Sequence, residues 1–223
     1  MYSVIKRFFD LLLASTVFIL LLPLLLPVII LLLLTGEHYV FYFQERVGFR
    51  NRHFDIYKFA TMLKDSPNME GGIITTRNDP RMTPLGPFLR KSKINELPQL
   101  INIIKGDMSI VGPRPVMQKS FEQYPKDVQE VIYNVRPGLT GIGSIIFRDE
   151  EDLVTKVKEE GGDTWHFYTN VIYPYKGELE KWYQSNRSFI TDLKIILVTA
   201  LVLIFPSRDL PYQFFRSLPR RPF

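Results

Sequence analysis

The residues best equipped for chemistry sit in one stretch, residues 90–115, RKSKINELPQLINIIKGDMSIVGPRP. Asn95 reads as a helix N-cap, because its side-chain oxygen can accept from the free N–H groups of a first turn. Pro98 then falls at the third helical position, where a missing N–H matters little. Leu97, Leu100, Ile101 and Ile104 follow at i, i+3, i+4 and i+7 and predict one buried face. Gly106 stands where a helix C-terminus calls for a left-handed residue. Glu96 is thereby expected near the positive end of a helix dipole, where an anion, a phosphate or a metal–phosphate complex is also stabilised. The basic run just ahead of it, residues 90–93, reads either as a solvated face or as an attraction for phosphate.

A chain of 223 residues has room for one domain with attachments. Its net charge of +5 and pI near 9.3 suit nucleic acid, anionic lipid or phosphorylated ligands. The absence of cysteine excludes disulfides, Cys-ligated zinc and thiol catalysis. His38, His53 and His166 lack metal spacing, and no GxSxG, HExxH or dinucleotide fingerprint occurs. Nucleic-acid binding would rest on net charge alone, so no nucleic-acid partner is expected.

Residues 11–34 run 24 positions without a charge. As a straight helix that is about 36 Å, against a hydrocarbon core of roughly 30 Å. The run is long for a signal peptide, and no small-residue cleavage site follows. Pro23 and Pro27 each remove a helical hydrogen bond and predict a kink or break. Lys6 and Arg7 precede the run; Arg46, Arg50 and Arg52 follow it. The positive-inside preference then puts both ends on the cytoplasmic side. A helix that enters the bilayer and returns satisfies both observations.

The rest of the chain reads as a small α/β (α+β) domain, mainly helical with short strands. Residues 39–43 and 54–59 predict strands around a turn near Gly48 and Asn51. Residues 64–81 are rich in Gly, Asn and Pro and predict a mobile loop over the site. Thr83 and Pro84 predict the N-cap and first position of a helix whose buried face is Leu85, Phe88 and Leu89. Residues 118–134 predict a surface helix interrupted by Pro125. Asp149, Glu150, Glu151 and Asp152 read as the acidic first turn of a helix over 150–160, or as a supplementary metal or acid site. Residues 193–205 are apolar but too short to span a bilayer, and read as core or as an interfacial helix. Arg216, Arg220 and Arg221 lie among aromatics in a tail that suits an anionic bilayer surface or disorder. The expected division is residues 1–36 as the membrane-embedded re-entrant helix, 37–205 as a cytoplasmic domain and 206–223 as the basic aromatic tail.

Residues 90–115 also resemble the signature of the bacterial sugar transferases, the monotopic polyprenyl-phosphate phosphoglycosyl transferases. Arg90, Glu96, Leu97, Pro98, Gln99, Leu100, Asn102, Gly106, Asp107, Met108, Ser109, Gly112, Pro113, Arg114 and Pro115 all match. The resemblance continues in FQERVG, in IYKF-TM, in the run Arg136 to Gly141, at Arg148 and in Ser188 to Ile195. Three positions depart. Asn95 stands where the family usually carries Asp, Leu22 replaces the Ser of a Ser-Pro bend, and Ala60 stands where a basic residue is common.

The resemblance implies transfer of a sugar 1-phosphate from a UDP-sugar to a polyprenyl phosphate, with release of UMP. It implies a re-entrant helix, Mg²⁺ as cofactor, and a monotopic seat on the cytoplasmic face of a bacterial inner membrane, where a surface polysaccharide or glycoconjugate is begun. It leaves room for a homodimer. Glu96 and Asn95 are then the catalytic pair, with Glu96 as metal ligand. Arg90, Arg114, Arg136, Arg148 and Lys58 become the phosphate-binding set, with Lys93 behind them. The usual Asp is a nucleophile, and an amide is a poor one. Attack by Glu96, direct attack by the lipid phosphate, and an inactive homologue that binds nucleotide sugar or serves as an assembly partner all remain open.

Overall fold

The long apolar run forms a single helix, α1 (Tyr2–Leu34, 33 residues). The computed structural model describes residues 2–69, 79–205, 207 and 209–223. The break expected at Pro23 and Pro27 does not interrupt α1: both prolines are exposed on its outer face, and the helix continues past them. Its inner face is held by the domain along the whole length. Arg7 donates to the Ile103 and Ile104 carbonyls at 2.6 and 3.1 Å, and Asp10 accepts from the Ile110 N–H at 3.0 Å. Ala14 packs with Ile56, Leu100, Ile103 and Met108; Leu25, Val28 and Leu32 pack with Phe59 and Leu89. The outer face exposes Phe8, Leu12, Ile19, Leu20, Leu26, Ile30 and Leu34.

Strands β1 (Phe41–Val47) and β2 (His53–Phe59) pair antiparallel, with Tyr42 opposite Lys58 and Arg46 opposite Phe54. Each runs further towards the turn than the sequence predicts. Helix α2 (Gly86–Lys91) starts later than Thr83 and Pro84 suggest, with Leu85 at its N-cap. Its Leu89 is buried, whereas Phe88 is 62% exposed and not part of a buried face. Of the expected loop over the site, residues 70–78 lie outside the described residues. Helix α3 (Gln99–Lys105) ends at Gly106, whose φ of 100° is the expected left-handed cap.

Strands β3 (Ser109–Val111) and β4 (Gly138–Thr140) pair in parallel, Ser109 opposite Gly138 and Val111 opposite Thr140. Gly112 and Gly138 let the two backbones touch: a Cβ on Gly138 would stand 2.1 Å from the Gly112 nitrogen. The two motifs VGPRP and RPGLTG are therefore neighbours across one ladder. Between them, α4 (Gln118–Phe121) and α5 (Lys126–Gln129) replace the single interrupted helix, with Pro125 at the N-cap of the second. They are not merely superficial, since Phe121, Tyr124, Val128, Ile132 and Tyr133 form a buried cluster with Val47 and Tyr173.

The C-terminal half comprises α6 (Ile142–Ile146), α7 (Glu150–Glu159), α8 (Thr164–Phe167), α9 (Tyr173–Asn186), α10 (Phe189–Ile204) and α11 (Leu210–Phe214). A π-helical turn, Tyr168–Ile172, joins α8 to α9. Helix α10 divides its apolar residues. Ile195, Val198 and Val202 enter the core, while Leu193, Leu197 and Leu203 are exposed. The last residues belong to the same core, where Phe215 and Leu218 are 6% and 4% exposed. Arg221 does not reach for a bilayer or a disordered tail. Its Nη1 donates to both Asp149 oxygens at 3.1 Å.

Candidate active site

Glu96 is brought to its place by a turn, not by the N-terminus of a capped helix. A 3-10 turn, Ile94–Glu96, follows Lys93, whose φ of 59° is left-handed, and Pro98 occupies the N-cap position of α3 without a side-chain cap. Asn95 therefore does not cap α3, and Pro98 is not its third residue. The reason is local: Lys93 reverses the chain, and the turn closes through Glu96 N–H to the Lys93 carbonyl before α3 begins. Ile94 and Leu97, on either side of the pair, pack against the cluster of Leu25, Val28 and Leu32. The Asn95–Glu96 turn is thus flanked by residues that share a core with the apolar helix.

The buried face of α3 is centred on Gln99, Leu100, Asn102 and Ile103, with Leu97, Ile101 and Ile104 only half-buried. Asn102, fully buried, is the tie to the hairpin. Its Oδ1 accepts from the Tyr57 N–H at 2.9 Å, and its Nδ2 donates to the Asp55 carbonyl at 2.7 Å. This link sets β2, and so Lys58, beside Glu96.

Arg114 arrives from the other side. It follows β3, and the Tyr133 hydroxyl clamps its segment by donating to the Arg114 carbonyl at 2.9 Å and accepting from the Val116 N–H at 3.1 Å. Val47 of β1 donates to the Val116 carbonyl at 2.9 Å. The Arg114 Nη2 then meets Glu96 Oε1 at 2.8 Å, with side-chain exposures of 42% and 15%. Burial pushes the Glu96 carboxyl up, but Arg114, Lys58 and Lys93 outweigh it and hold the group far below the usual carboxylate range. The same pairing raises Arg114.

Burial pushes Lys58 down to about 7, with Arg46, Arg114 and Arg90 pushing the same way and Glu96 opposing. Burial and Arg114 take Arg46 down to about 10. The side chain of Arg90, half-buried on α2, makes no hydrogen bond or ion pair among the described residues. One carboxylate is thus set among five cations, Arg46, Lys58, Arg90, Lys93 and Arg114. Such an excess of positive charge in a partly desolvated place is an anion site.

Two predicted phosphate contacts are engaged elsewhere. Arg136 Nε donates to the Gly106 carbonyl at 2.7 Å, at the far end of α3, and its guanidinium lies over Phe49. Arg148 Nη1 donates to the Val202 carbonyl at 2.7 Å on α10. Neither is among the charges that shift Glu96 or Lys58. Sequence reasoning missed Tyr133 as the clamp and Arg46 as a site cation. It also missed Lys176, which meets Glu150 at 2.6 Å near Arg114.

Among the described residues no group of three His, Asp or Glu is placed to hold a metal. A Mg²⁺ ion usually takes only one or two carboxylates and completes its shell with phosphate oxygens and water. Glu96 supplies one carboxylate, and the buried Asn95 Oδ1 beside it has no hydrogen-bond partner. Both are oxygen donors of the hard type that Mg²⁺ takes.

A domain that carries a long apolar helix and a cation-lined anion site is the class these features define. The family model for bacterial sugar transferases matches residues 1–206. The chain belongs to the bacterial sugar transferase family. It is 36% identical over 188 residues to the exopolysaccharide production protein ExoY of Rhizobium meliloti, covering 77% of this chain and 82% of that protein. It is 31% identical over 177 residues to the undecaprenyl-phosphate galactose phosphotransferase of Salmonella typhimurium, covering 73% of this chain and 33% of that one. It is 36% identical over 164 residues to the UDP-N-acetylgalactosamine-undecaprenyl-phosphate N-acetylgalactosaminephosphotransferase of Aeromonas hydrophila, covering 71% and 38%. The chain spans 33% to 42% of the length of several curated relatives it matches.

Proposed function

We propose that this chain transfers a sugar 1-phosphate from a UDP-sugar to a polyprenyl phosphate, releasing UMP, and so begins a surface polysaccharide or glycoconjugate. The observation that carries the reading is the Glu96–Arg114 pair ringed by Lys58, Arg46, Lys93 and Arg90, on a turn whose flanking residues pack on α1. Phosphoryl transfer asks a protein for positioning and charge neutralisation, and this ring offers both. Arg114 suits bidentate phosphate contact, and its side chain is the more exposed partner of the pair. The inactive-homologue alternative finds no support in relatives whose names describe phosphotransferases.

The amide of Asn95 does not attack phosphorus, and this reading gives Glu96 to Arg114, through Oε1, and to the metal rather than to attack. The acceptor phosphate oxygen is therefore the nucleophile in this reading. It forms a bond to the sugar-linked phosphorus of the donor, the bond from that phosphorus to the bridging oxygen breaks, and UMP leaves with the electron pair. Arg114, Arg90 and Lys58 hold the diphosphate while charge moves to the leaving oxygen. Mg²⁺ held by Glu96 and Asn95 would supply further neutralisation of the diphosphate.

Helix α1 seats the site on the membrane. It is the one helix among the described residues long and apolar enough to cross a bilayer. Both of its ends are fixed to the same domain, by Arg7 and Asp10 at the start and by Leu25, Val28 and Leu32 near the end. A straight crossing would carry one end far from that domain. A monotopic seat on the cytoplasmic face, with the uninterrupted α1 lying along the domain and both ends on one side, keeps both contacts and leaves the apolar outer face in lipid.

The test is UMP release over a panel of UDP-sugars with undecaprenyl phosphate, with Mg²⁺ and after chelation. Release is expected from at least one donor, lost in Glu96→Gln, with no phosphosugar adduct on the protein by mass spectrometry. An adduct on Glu96 refutes direct attack. Failure of every donor refutes the transferase reading.

A further inference from the structure

Beyond the Glu96–Arg114 pair, a second charged pair acts electrostatically on the same guanidinium. Lys176 Nζ lies 2.6 Å from Glu150 Oε1, with side-chain exposures of 16% and 25%. Lys176 lies over the rings of Phe147 and Tyr168 at 4.9 and 5.9 Å, and Tyr168 packs against the cluster of Phe121, Tyr124 and Tyr133. Glu150 and Tyr168 both act electrostatically on Arg114. Yet no direct ion pair or hydrogen bond joins either of them to Arg114, whose one side-chain bond runs from Nη2 to Glu96. The Arg114 guanidinium, 42% exposed, thus has donors to spare, and Tyr168 packs on the cluster that holds Tyr133, the residue that clamps the Arg114 segment.

Stability alone is a poor reason for this pair. A partly buried ion pair loses in desolvation most of what it gains in attraction. Its surroundings are also built with care. The π-turn Tyr168–Ile172 interrupts the helix between Tyr168 and Lys176, and such single turns cluster at functional sites. The inserted residue rotates Tyr168 relative to Lys176 by about 100° compared with an unbroken helix. Glu150 is the first residue of α7, and its neighbour Asp149, the N-cap, is gripped by Arg221 from the chain's last residues.

We propose that Glu150, Lys176 and Tyr168 form the sugar subsite, the wall that reads the pyranose hydroxyls of the donor whose diphosphate is held by Arg114. The inference rests on the donor reading above. A carboxylate accepts from a sugar hydroxyl, an ammonium and a phenol donate to one, and fixed polar groups discriminate strongly because an epimer leaves them unpaired. Asp149 and Arg221 are positioning residues that hold the start of α7.

Binding of UDP, UDP-glucose and UDP-galactose to the full chain in nanodiscs, by calorimetry, tests this. The parent should prefer one hexose nucleotide over its 4-epimer by at least tenfold. Glu150→Gln, Lys176→Met and the milder Tyr168→Phe should each reduce that ratio to threefold or less. UDP itself should bind Glu150→Gln at least as tightly as the parent, because the change removes a negative charge near the phosphate site. An epimer ratio unchanged in all three variants, parallel loss of UDP binding, or no epimer preference in the parent overturns the subsite. A parent that binds no UDP overturns the donor reading as well, so the two failures are distinct.

Discussion

Lys58 offers the sharpest test of the anion site. Burial and the nearby Arg46, Arg114 and Arg90 hold it down to about 7, whereas an unperturbed lysine titrates near 10.4. At pH 7 the free site is then about half protonated at this position, and at pH 8.5 only about 3% protonated. If the diphosphate binds only the ammonium form, affinity falls about 16-fold between these pH values, or ~1.6 kcal/mol. UDP is a suitable probe, since the last phosphate ionisation lies near pH 6 and its charge hardly changes in this range. Calorimetric Kd values for UDP at pH 7, 7.5, 8 and 8.5 should therefore rise steeply for the parent. Lys58→Arg keeps its charge throughout and should give a nearly flat curve. The linked stability has the opposite sense. Between about pH 7 and about 10.4 the unfolded chain holds a proton here that the folded chain lacks, so folding is favoured as pH rises through that window. Coincident pH curves for the parent and Lys58→Arg would refute the argument.

Four further outcomes are expected. Arg114→Ala should weaken UDP binding at least tenfold, as expected for a charge-assisted contact of about 1.5–3 kcal/mol, with an unchanged circular dichroism spectrum; parent-like affinity sinks the assignment. Asn102→Leu should lower stability by about 2–4 kcal/mol in urea melts, because the Tyr57 N–H and the Asp55 carbonyl lose their buried partner, and a neutral result would show that the hairpin is held by other means. Gly138→Ala should fail to fold or lose more than about 2 kcal/mol, since the added Cβ meets the Gly112 backbone; normal melting contradicts the close strand approach. A Ser3→Cys variant, in a chain that has no other cysteine, should be labelled only from the cytoplasmic side, as should His53→Cys; periplasmic labelling at position 3 excludes the monotopic seat.

The sequence by itself determined the parts that depend on local chemistry and composition. The uncharged run of residues 11–34 had to be an apolar helix, Gly106 had to end α3 in the left-handed region, and residues 90–115 carried Glu96 and Arg114 within one signature. Only the tertiary structure decided what those residues meet. Asn95 looked like a cap because capping is judged from a few neighbours, but the left-handed Lys93 spends those residues on a separate turn. Arg136 and Arg148 were grouped with Arg114 by charge, yet each guanidinium satisfies a backbone carbonyl elsewhere. Tyr133, Lys176 and Glu150 carried no local sign of their place near Arg114, since that proximity comes from the ladder of β3 with β4, the hydroxyl clamp and the π-turn. A type and a spacing specify which bonds a residue can make. Packing across distant segments, where burial and competing partners set the free energy of each option, selects the one it does make.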